Sequence, residues 1–218
     1  MEYLKLKCPP LDNLLGGGIE SGTITEVYGE AGSGKTNVCL QATRECASKI
    51  GKVAFVDSEG ISFKRLEQMC KKGYNYKDVL KKILFFCPNS FENQEKILND
   101  IVRRDDIKLI VVDTLNIFYR INLEDDKEAA MRSFLRQMAN LQIKSREKDM
   151  FVLVAEQVYT DKNGDIKPFT HRETEHMIKT SMKLEKIEIG KRRATIMKHR
   201  SQPEGKQAMF SILSEGLK

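Results

Sequence analysis

The chain has 218 residues, with 37 Lys or Arg against 31 Asp or Glu and a formal net charge of +6. This length suits one α/β domain, expected over residues 1–218, with a sizeable buried core. No apolar run approaches the ~20 residues of a membrane-spanning helix, and the first residues carry no apolar signal segment. Five cysteines without a C-x-x-C pair also disfavour a disulfide scaffold, so we expect a cytoplasmic protein with no membrane partner.

Strands and helices are predicted to alternate along the first three-quarters of the chain. Short apolar runs predict strands, and longer segments with apolar residues at helical spacing predict helices. Ser62 and Ser90 stand where they would cap the second and third of these helices. We expect strands at 23–28, 52–57, 83–87, 107–113 and 151–155, and helices at 37–49, 62–73, 91–104 and 127–148.

The last quarter of the chain changes character. Residues 180–188 and 192–198 alternate between apolar and polar side chains, Ile189-Gly190-Lys191 joins them as a hairpin, and 208–213 forms a last strand. Together with the earlier units, this pattern predicts an α/β fold: a mostly parallel twisted sheet with helices on both faces and antiparallel C-terminal edge strands. Residues 179–218 contain ten Lys or Arg and four Asp or Glu. That excess suits either a phosphodiester backbone or an ordinary solvated surface.

The segment between the first strand and the first helix reads G-E-A-G-S-G-K-T and fits the nucleotide-phosphate loop G-x-x-x-x-G-K-[ST]. Its glycines let consecutive backbone N–H groups point at phosphate oxygens. Lys35 would reach the β- and γ-phosphates, and the Thr36 hydroxyl would ligate Mg²⁺. The candidate nucleotide-binding residues here are Gly29, Glu30, Ala31, Gly32, Ser33, Gly34, Lys35, Thr36 and Asn37.

Carboxylates follow two of the predicted strands at the edge where α/β sheets bind ligands. Asp113 ends a buried strand and is placed to hold Mg²⁺ beside Thr36. Asp57 and Glu59 follow another strand, and Glu59 could position water in line with the γ-phosphate. From spacing alone, Glu59 could equally be a charge that complements a helix N-terminus.

These motifs, in this order, resemble those of the RecA-fold recombinases, and within them the archaeal RadA/RadB group, nearest to its short RadB branch. The resemblance extends from Leu11 to Gly216 and implies a RecA-like P-loop NTPase core. The segments that carry it are Leu15–Gly22, the phosphate loop, Asp57–Gly60, Val111–Thr114, Gln157–Val158, Thr180–Lys186 and Lys198–Gly205.

The resemblance implies roles for residues around the nucleotide. Glu59 falls on the catalytic glutamate, Gln157 on the glutamine that senses the γ-phosphate, and Arg65 on an arginine that stacks on adenine. The predicted catalytic residues are therefore Glu59, Gln157 and Lys35. Pro203 matches a residue that caps ATP across a subunit boundary. Lys198 stands at an ATP-cap position, where it could reach a neighbour's γ-phosphate or simply protect an edge strand from aggregation.

The resemblance also implies contacts with DNA. Tyr119 and Arg120 match the first DNA-binding loop, and a second loop would run from Val158 to Thr170. The candidate DNA-binding residues are Tyr119, Arg120, Lys162, Lys167 and Arg172.

A DNA repair and recombination accessory protein follows from the resemblance. It would bind ATP and Mg²⁺, hydrolyse ATP weakly, bind DNA (single-stranded above all) and modulate a RadA-type recombinase, with a homodimer as one assembly option. The chain departs from the RadA pattern in three respects. We find no N-terminal helical domain and no Phe-x-x-Ala segment, and Glu156 replaces the usual asparagine. The alternatives are a DNA-dependent ATPase that itself drives strand exchange, and a small-molecule kinase that uses the same phosphate loop.

Overall fold

A nine-stranded sheet runs through the computed structural model, which describes residues 2–162, 164, 166–169 and 174–218. The strands in chain order are β1 (Tyr3–Leu4), β2 (Ile19–Glu20), β3 (Thr23–Tyr28), β4 (Lys52–Asp57), β5 (Ile83–Phe86), β6 (Ile107–Asp113), β7 (Phe151–Glu156), β8 (Val158–Thr160), β9 (Ile166–Pro168), β10 (Ile178–Glu188), β11 (Lys191–Lys198), β12 (Gln207–Leu213) and β13 (Gly216–Leu217). The helices are α1 (Pro9–Leu14), α2 (Lys35–Lys49), α3 (Phe63–Cys70), α4 (Tyr76–Leu80), α5 (Phe91–Ile101), α6 (Ile117–Asp125) and α7 (Lys127–Lys148).

The large sheet has the strand order β13-β12-β11-β10-β3-β7-β6-β4-β5. Neighbouring strands from β10 to β5 in this order are parallel, whereas β10, β11, β12 and β13 pair antiparallel. The pairs β1–β2 and β8–β9 form two small antiparallel sheets. The predicted architecture, mostly parallel with an antiparallel C-terminal edge, is confirmed.

Two apolar clusters cover the two faces of the parallel strands. One joins α2 to Val27, Phe55 and Leu153, and the other includes Val56 and Phe134, which lies on α7. A strand buried on both faces has no polar side to alternate with, which explains the nearly continuous apolar runs of β4, β6 and β7. The carboxyl ends of these strands meet at one edge of the sheet. The candidate site residues Glu59, Asp113 and Gln157 lie at or just after these ends.

Several helix boundaries follow local side-chain chemistry. The Ser62 and Ser90 side chains accept hydrogen bonds from the backbone N–H groups of Arg65 and Asn93, so both predicted caps are confirmed. The bounds of α7 match the prediction, but α3 ends at Cys70 and α5 at Ile101, earlier than expected. The short elements α1, α4, α6, β1, β2, β8, β9 and β13 were not predicted.

The five cysteines are free thiols, and four of them are buried. Cys8, Cys39, Cys46 and Cys70 are buried free thiols, whereas Cys87 is exposed. Among the described residues, no helix combines the length and the apolar character needed to cross a membrane.

Candidate nucleotide site

The phosphate loop connects β3 to α2, and two of its glycines, Gly29 and Gly34, stand where another residue would clash or be strained. A Cβ on Gly29 would lie 2.2 Å from the Leu184 carbonyl oxygen, which is backbone and cannot move aside. Gly34 is the N-cap of α2 and has φ 109°, in the left-handed region that favours glycine. At these two positions the shape of the loop therefore requires glycine.

Lys35 lies inside this loop. Its side-chain Nζ donates hydrogen bonds to the carbonyl oxygens of Gly29 at 2.7 Å and Glu30 at 3.2 Å. The residue is only 8% exposed, and burial lowers the pKa of its ammonium, while the carboxylates of Glu59 and Asp113 oppose that shift. A buried cation with nearby carbonyl partners can turn to a phosphate without leaving the loop.

Asp113 lies at the end of β6, buried beside the first turn of α2. Burial raises its pKa to about 6, the Thr36 hydroxyl opposes this shift by a hydrogen bond, and the Glu59 charge adds to it. The Asp113 Oδ1 atom is buried and accepts no hydrogen bond from the part of the chain that the structure describes. An oxygen acceptor in this position, next to a hydroxyl, has the chemistry of a Mg²⁺ ligand. Thr36 and Asp113 therefore fit the metal that the sequence predicts.

Two carboxylates follow β4, and the structure gives them different roles. Asp57 is buried and accepts hydrogen bonds from the backbone N–H groups of Glu59, Gly60 and Ile61, so it shapes the turn. The Glu59 side chain is exposed, and its Oε1 accepts from Gln157 Nε2 at 2.5 Å and Thr114 Oγ1 at 3.1 Å. Asp57 thus holds the backbone that presents Glu59.

Gln157, directly after β7, is held by its backbone and engaged at both ends of its side chain. Asn116 at the start of α6 accepts from the Gln157 N–H and donates to the Gln157 carbonyl oxygen, each at 3.1 Å. The Gln157 Oε1 accepts from Arg120 Nη1 at 2.5 Å. Sequence reasoning missed Asn116, because its side chain makes no cap hydrogen bond with α6 and instead bonds to Gln157, 41 residues away in the chain.

Arg120 extends this connection to the β8–β9 hairpin. Its guanidinium carbon lies 4.2 Å from the centroid of the Phe169 ring, and that ring lies 4.9 Å from the ring of Tyr159. Glu59, Gln157 and Arg120 therefore form a continuous chain of side-chain contacts, which ends on an aromatic pair next to the hairpin. A cavity of about 300 Å³ lies beside it, lined by residues that include Ala31, Lys35, Glu59 and Gln157.

The other candidate DNA-binding residues differ in their exposure. Tyr119 is only 3% exposed and stacks on Phe134 at 4.4 Å, so the expected surface role is corrected to packing of α6 against α7. Lys162 is exposed, and Lys167 pairs with Asp161. Arg172 lies outside the described residues.

The residues expected to hold the base and the trans cap lie at two different places. Arg65 on α3 bonds to Asn37 and to the turn after β12. Lys198 lines a separate cleft of about 590 Å³ and donates to the Glu175 carbonyl oxygen at 2.7 Å, while Pro203 is exposed after β11. The residues that line this cleft are different from those that line the cavity at the phosphate loop.

Comparison with known proteins gives a consistent result. The Rad51 family model matches residues 3–218. The DNA repair and recombination protein RadB of Methanococcoides burtonii is 40% identical over 100% of this chain and 98% of that protein, and its counterpart in Thermoplasma acidophilum is 37% identical over 95% and 90%. A solved structure described as the crystal structure of the RadB recombinase matches with a TM-score of 0.88 and 32% identity, covering 99% of this chain and 98% of that chain.

Proposed function

The chain belongs to the Rad51 family, and we propose that it binds ATP with Mg²⁺ and acts in DNA repair and recombination. The observation that carries this proposal is the contact chain Glu59–Gln157–Arg120. It begins beside Lys35, Thr36 and Asp113, which suit a triphosphate and its metal, and ends at the candidate DNA loops. The contact chain offers a physical route by which nucleotide state could change DNA contacts.

Each residue of the site has a definite proposed role. Lys35 binds the β- and γ-phosphates, and the residues of the loop offer backbone N–H groups to the same oxygens. Mg²⁺, held by Thr36 and Asp113, would neutralise phosphate charge when bound. Glu59 positions the attacking water, and Gln157 contacts the γ-phosphate.

We propose weak hydrolysis and an accessory role toward a RadA-type recombinase. The Oε1 atom of Glu59 already accepts two hydrogen bonds, from Gln157 and Thr114, so this oxygen must release a partner before it can accept a hydrogen bond from the attacking water. In this role Arg120, Lys162, Lys167 and Arg172 bind phosphates of DNA, preferentially single-stranded.

Lys198 and Pro203 would serve a neighbouring molecule rather than their own nucleotide. The observation that supports this role is that Lys198 lines a different cavity from the one at the phosphate loop. If two copies associate in this way, ATP turnover rises with protein concentration. Lys198→Ala then reduces turnover with little change in ATP affinity, and unchanged turnover in that variant would rule out the trans role.

The central test is DNA binding over a salt series, with and without ATP. We expect affinity to fall steeply with salt, because phosphate contacts release counterions, and to differ between the two nucleotide states. DNA affinity that is equal with and without ATP would contradict the proposed coupling. Absence of DNA binding at low salt would leave a role directed only at proteins.

Hydrolysis in a single turnover, with and without single-stranded DNA, separates the alternatives. An accessory protein shows little stimulation by DNA. Stimulation of a hundredfold or more would instead favour an ATPase that itself drives strand exchange. Transfer of the γ-phosphate to a metabolite in an acceptor screen would favour the small-molecule kinase.

A further inference from the structure

The antiparallel strands at the C-terminal end of the chain approach the phosphate loop closely at both of its ends. A Cβ on Gly29 would lie 2.2 Å from the Leu184 carbonyl oxygen of β10. A Cβ on Gly34 would lie 2.9 Å from Ile212 Cδ1 of β12. The beginning and the end of the loop therefore lie against these strands, whereas its middle, residues 30–32, is exposed.

A side chain from β11 bonds to this exposed middle. A Cβ added at Gly32 would have no neighbour within 4 Å among the described residues, so packing does not fix the backbone there. Arg192 Nε donates a hydrogen bond to the Gly32 carbonyl oxygen at 3.1 Å. Within the part of the chain that the structure describes, this is the only side-chain hydrogen bond that reaches residues 30–32 from outside the loop.

The hairpin of β10 and β11 holds Arg192 in this position. The Arg192 Nη1 atom donates to the carbonyl oxygens of Glu188 at 3.2 Å and Lys191 at 2.9 Å, so the guanidinium spans from the hairpin turn to the loop. Ala194, two residues later, belongs to the same apolar cluster as α2, and side chains two apart on a strand share a face. Arg192 therefore lies on the α2 side of β11, where the phosphate loop begins that helix.

The charge of Arg192 has no carboxylate partner among the described residues. Its neighbours on the strand differ in this respect. Lys191 pairs with Glu188, and Arg193 pairs with Glu185. Arg192 instead has three carbonyl oxygens as partners, which orient its planar group without neutralising it.

We propose that Arg192 is a positioning residue of the phosphate loop, which holds the middle of the loop in the shape that binds a triphosphate. The inference rests on the triphosphate site proposed above. A phosphate loop binds through backbone N–H groups, and affinity is gained when these donors are in place before the ligand arrives. Gly32 has φ 75° but, as a glycine, can adopt other conformations, and the bond from Arg192 restricts that freedom. Because this bond ends on a carbonyl oxygen, it uses none of the N–H donors.

ATP affinity tests the inference in a titration with Mg²⁺ and a fluorescent ATP analogue. Arg192→Ala should bind about threefold to tenfold more weakly, because a hydrogen bond from a charged donor is lost and the loop must be ordered on binding. The matched control is Arg193→Ala, which removes the next arginine of the same strand and should keep the affinity of the unmodified protein. An affinity of Arg192→Ala within about twofold of the unmodified protein would overturn the proposal.

Arg192→Lys separates positioning of the loop from attraction of phosphate by charge. Lysine keeps the charge but loses the planar group that joins three carbonyl oxygens, so it should recover only part of the lost affinity. The loss in Arg192→Ala should also be similar at about 0.05 M and about 0.5 M salt, because salt screens attraction between separated charges. Full recovery in Arg192→Lys, or a loss that disappears at the higher salt, would overturn the positioning role.

Hydrogen exchange of the protein without nucleotide provides a readout that does not depend on ATP. In Arg192→Ala, the backbone N–H groups of residues 30–34 should exchange about threefold to tenfold faster, while those of β3 and α2 keep their rates. Unchanged exchange in the loop, or faster exchange throughout β3 and α2, would overturn the positioning role. A folded, unmodified protein that binds no ATP would instead overturn the proposed function, and the exchange comparison would still decide whether Arg192 orders the loop.

Discussion

The two halves of the candidate nucleotide site are built in different ways. On the phosphate side, Lys35 and Asp113 are 8% and 3% exposed, and Gly29 of the loop packs directly against the Leu184 backbone. The other half is the contact chain Glu59–Gln157–Arg120, which we call the relay side. Here Glu59 and Arg120 are exposed, Gln157 bonds to both, and the Phe169 ring packs on Arg120. The first half cannot rearrange without losing packing, whereas the second can exchange one partner for another at small cost.

This difference indicates which half can respond to a ligand. A binding site for phosphate gains affinity when its donors are already in place. A response to the γ-phosphate needs groups whose bonds in one state are replaced by equivalent bonds in another. The buried half suits the first task, and the exposed contact chain suits the second.

The largest effect is expected from the phosphate side with Lys35→Ala. Two charge-assisted contacts to phosphate are lost, each worth about 1.5–3 kcal/mol, so ATP affinity should fall by about 100-fold or more. Titration with a fluorescent ATP analogue measures it, with Lys96→Ala, an exposed lysine on α5, as the control. A fall of less than tenfold would contradict the proposed difference between the two halves, because the buried half would then contribute little to ATP affinity.

A second prediction concerns Asp113 and pH. Its pKa, raised to about 6, means that a proton competes with Mg²⁺ below that pH, so Mg²⁺-dependent ATP affinity should fall about fivefold between pH 6 and pH 5. Asp113→Asn should remove both the Mg²⁺ dependence and this step. A step that persists in the variant would assign the titration to another group.

The same pKa fixes the sign of a stability effect. Because the pKa is raised in the folded state, the contribution of Asp113 to stability is present below its unfolded value and is lost as pH rises through about 6. The protein without nucleotide should therefore be stabilised at pH 7.5 by Asp113→Asn, by about 1–3 kcal/mol. Denaturant titration at pH 7.5 and pH 4 measures this, and the gain should shrink at the lower pH.

On the relay side, Gln157→Ala should uncouple nucleotide from DNA. The variant loses the bonds to Glu59 and Arg120 together, so the ratio of DNA affinities with and without ATP should approach one, a change of about fivefold. ATP affinity itself should fall by only about twofold to tenfold, because one contact with the γ-phosphate is lost, and the control Gln142→Ala on α7 should keep both the ratio and the ATP affinity. A ratio that equals that of the unmodified protein would place the coupling elsewhere.

The smallest effect is expected from Phe169→Ala. Loss of the contact between the Phe169 ring and the Arg120 guanidinium, worth about 0.5–1 kcal/mol, should release Arg120 and raise DNA affinity without ATP by about twofold to fivefold. Fluorescence anisotropy with a labelled oligonucleotide measures it, and Phe63→Ala is the exposed aromatic control. Weaker DNA binding would show that Phe169 itself contacts DNA.

The phosphate side could be predicted from sequence because its chemistry is local. Loop, strand and helix are consecutive from Thr23 to Lys49, and apolar runs identified the strand that carries Asp113. The sequence also predicted the antiparallel C-terminal edge, since the hairpin at Gly190 alternates at period two.

The relay side depended on contacts that sequence spacing cannot specify. Gln157 bonds to Glu59 from 98 residues away and to Arg120 from 37 residues away. Tyr119 and Arg120 are neighbours in the chain, yet α6 directs one to the core and the other to Gln157. Which of two adjacent residues is buried depended on the register of α6 against α7, which the sequence did not reveal.

The position of β12 and β13 at the end of the chain has a consequence for how the protein folds. Arg65 joins Ser214 across 149 residues, and Gln41 bonds to Leu217 across 176 residues. Contacts of such sequence separation form late, because a long loop must close before they are gained. During synthesis the phosphate loop and α2 emerge well before β12, so nascent chains contain the phosphate loop before the strands that anchor Arg65 and Gln41. Docking of the C-terminal strands is therefore expected to be the final stage of folding.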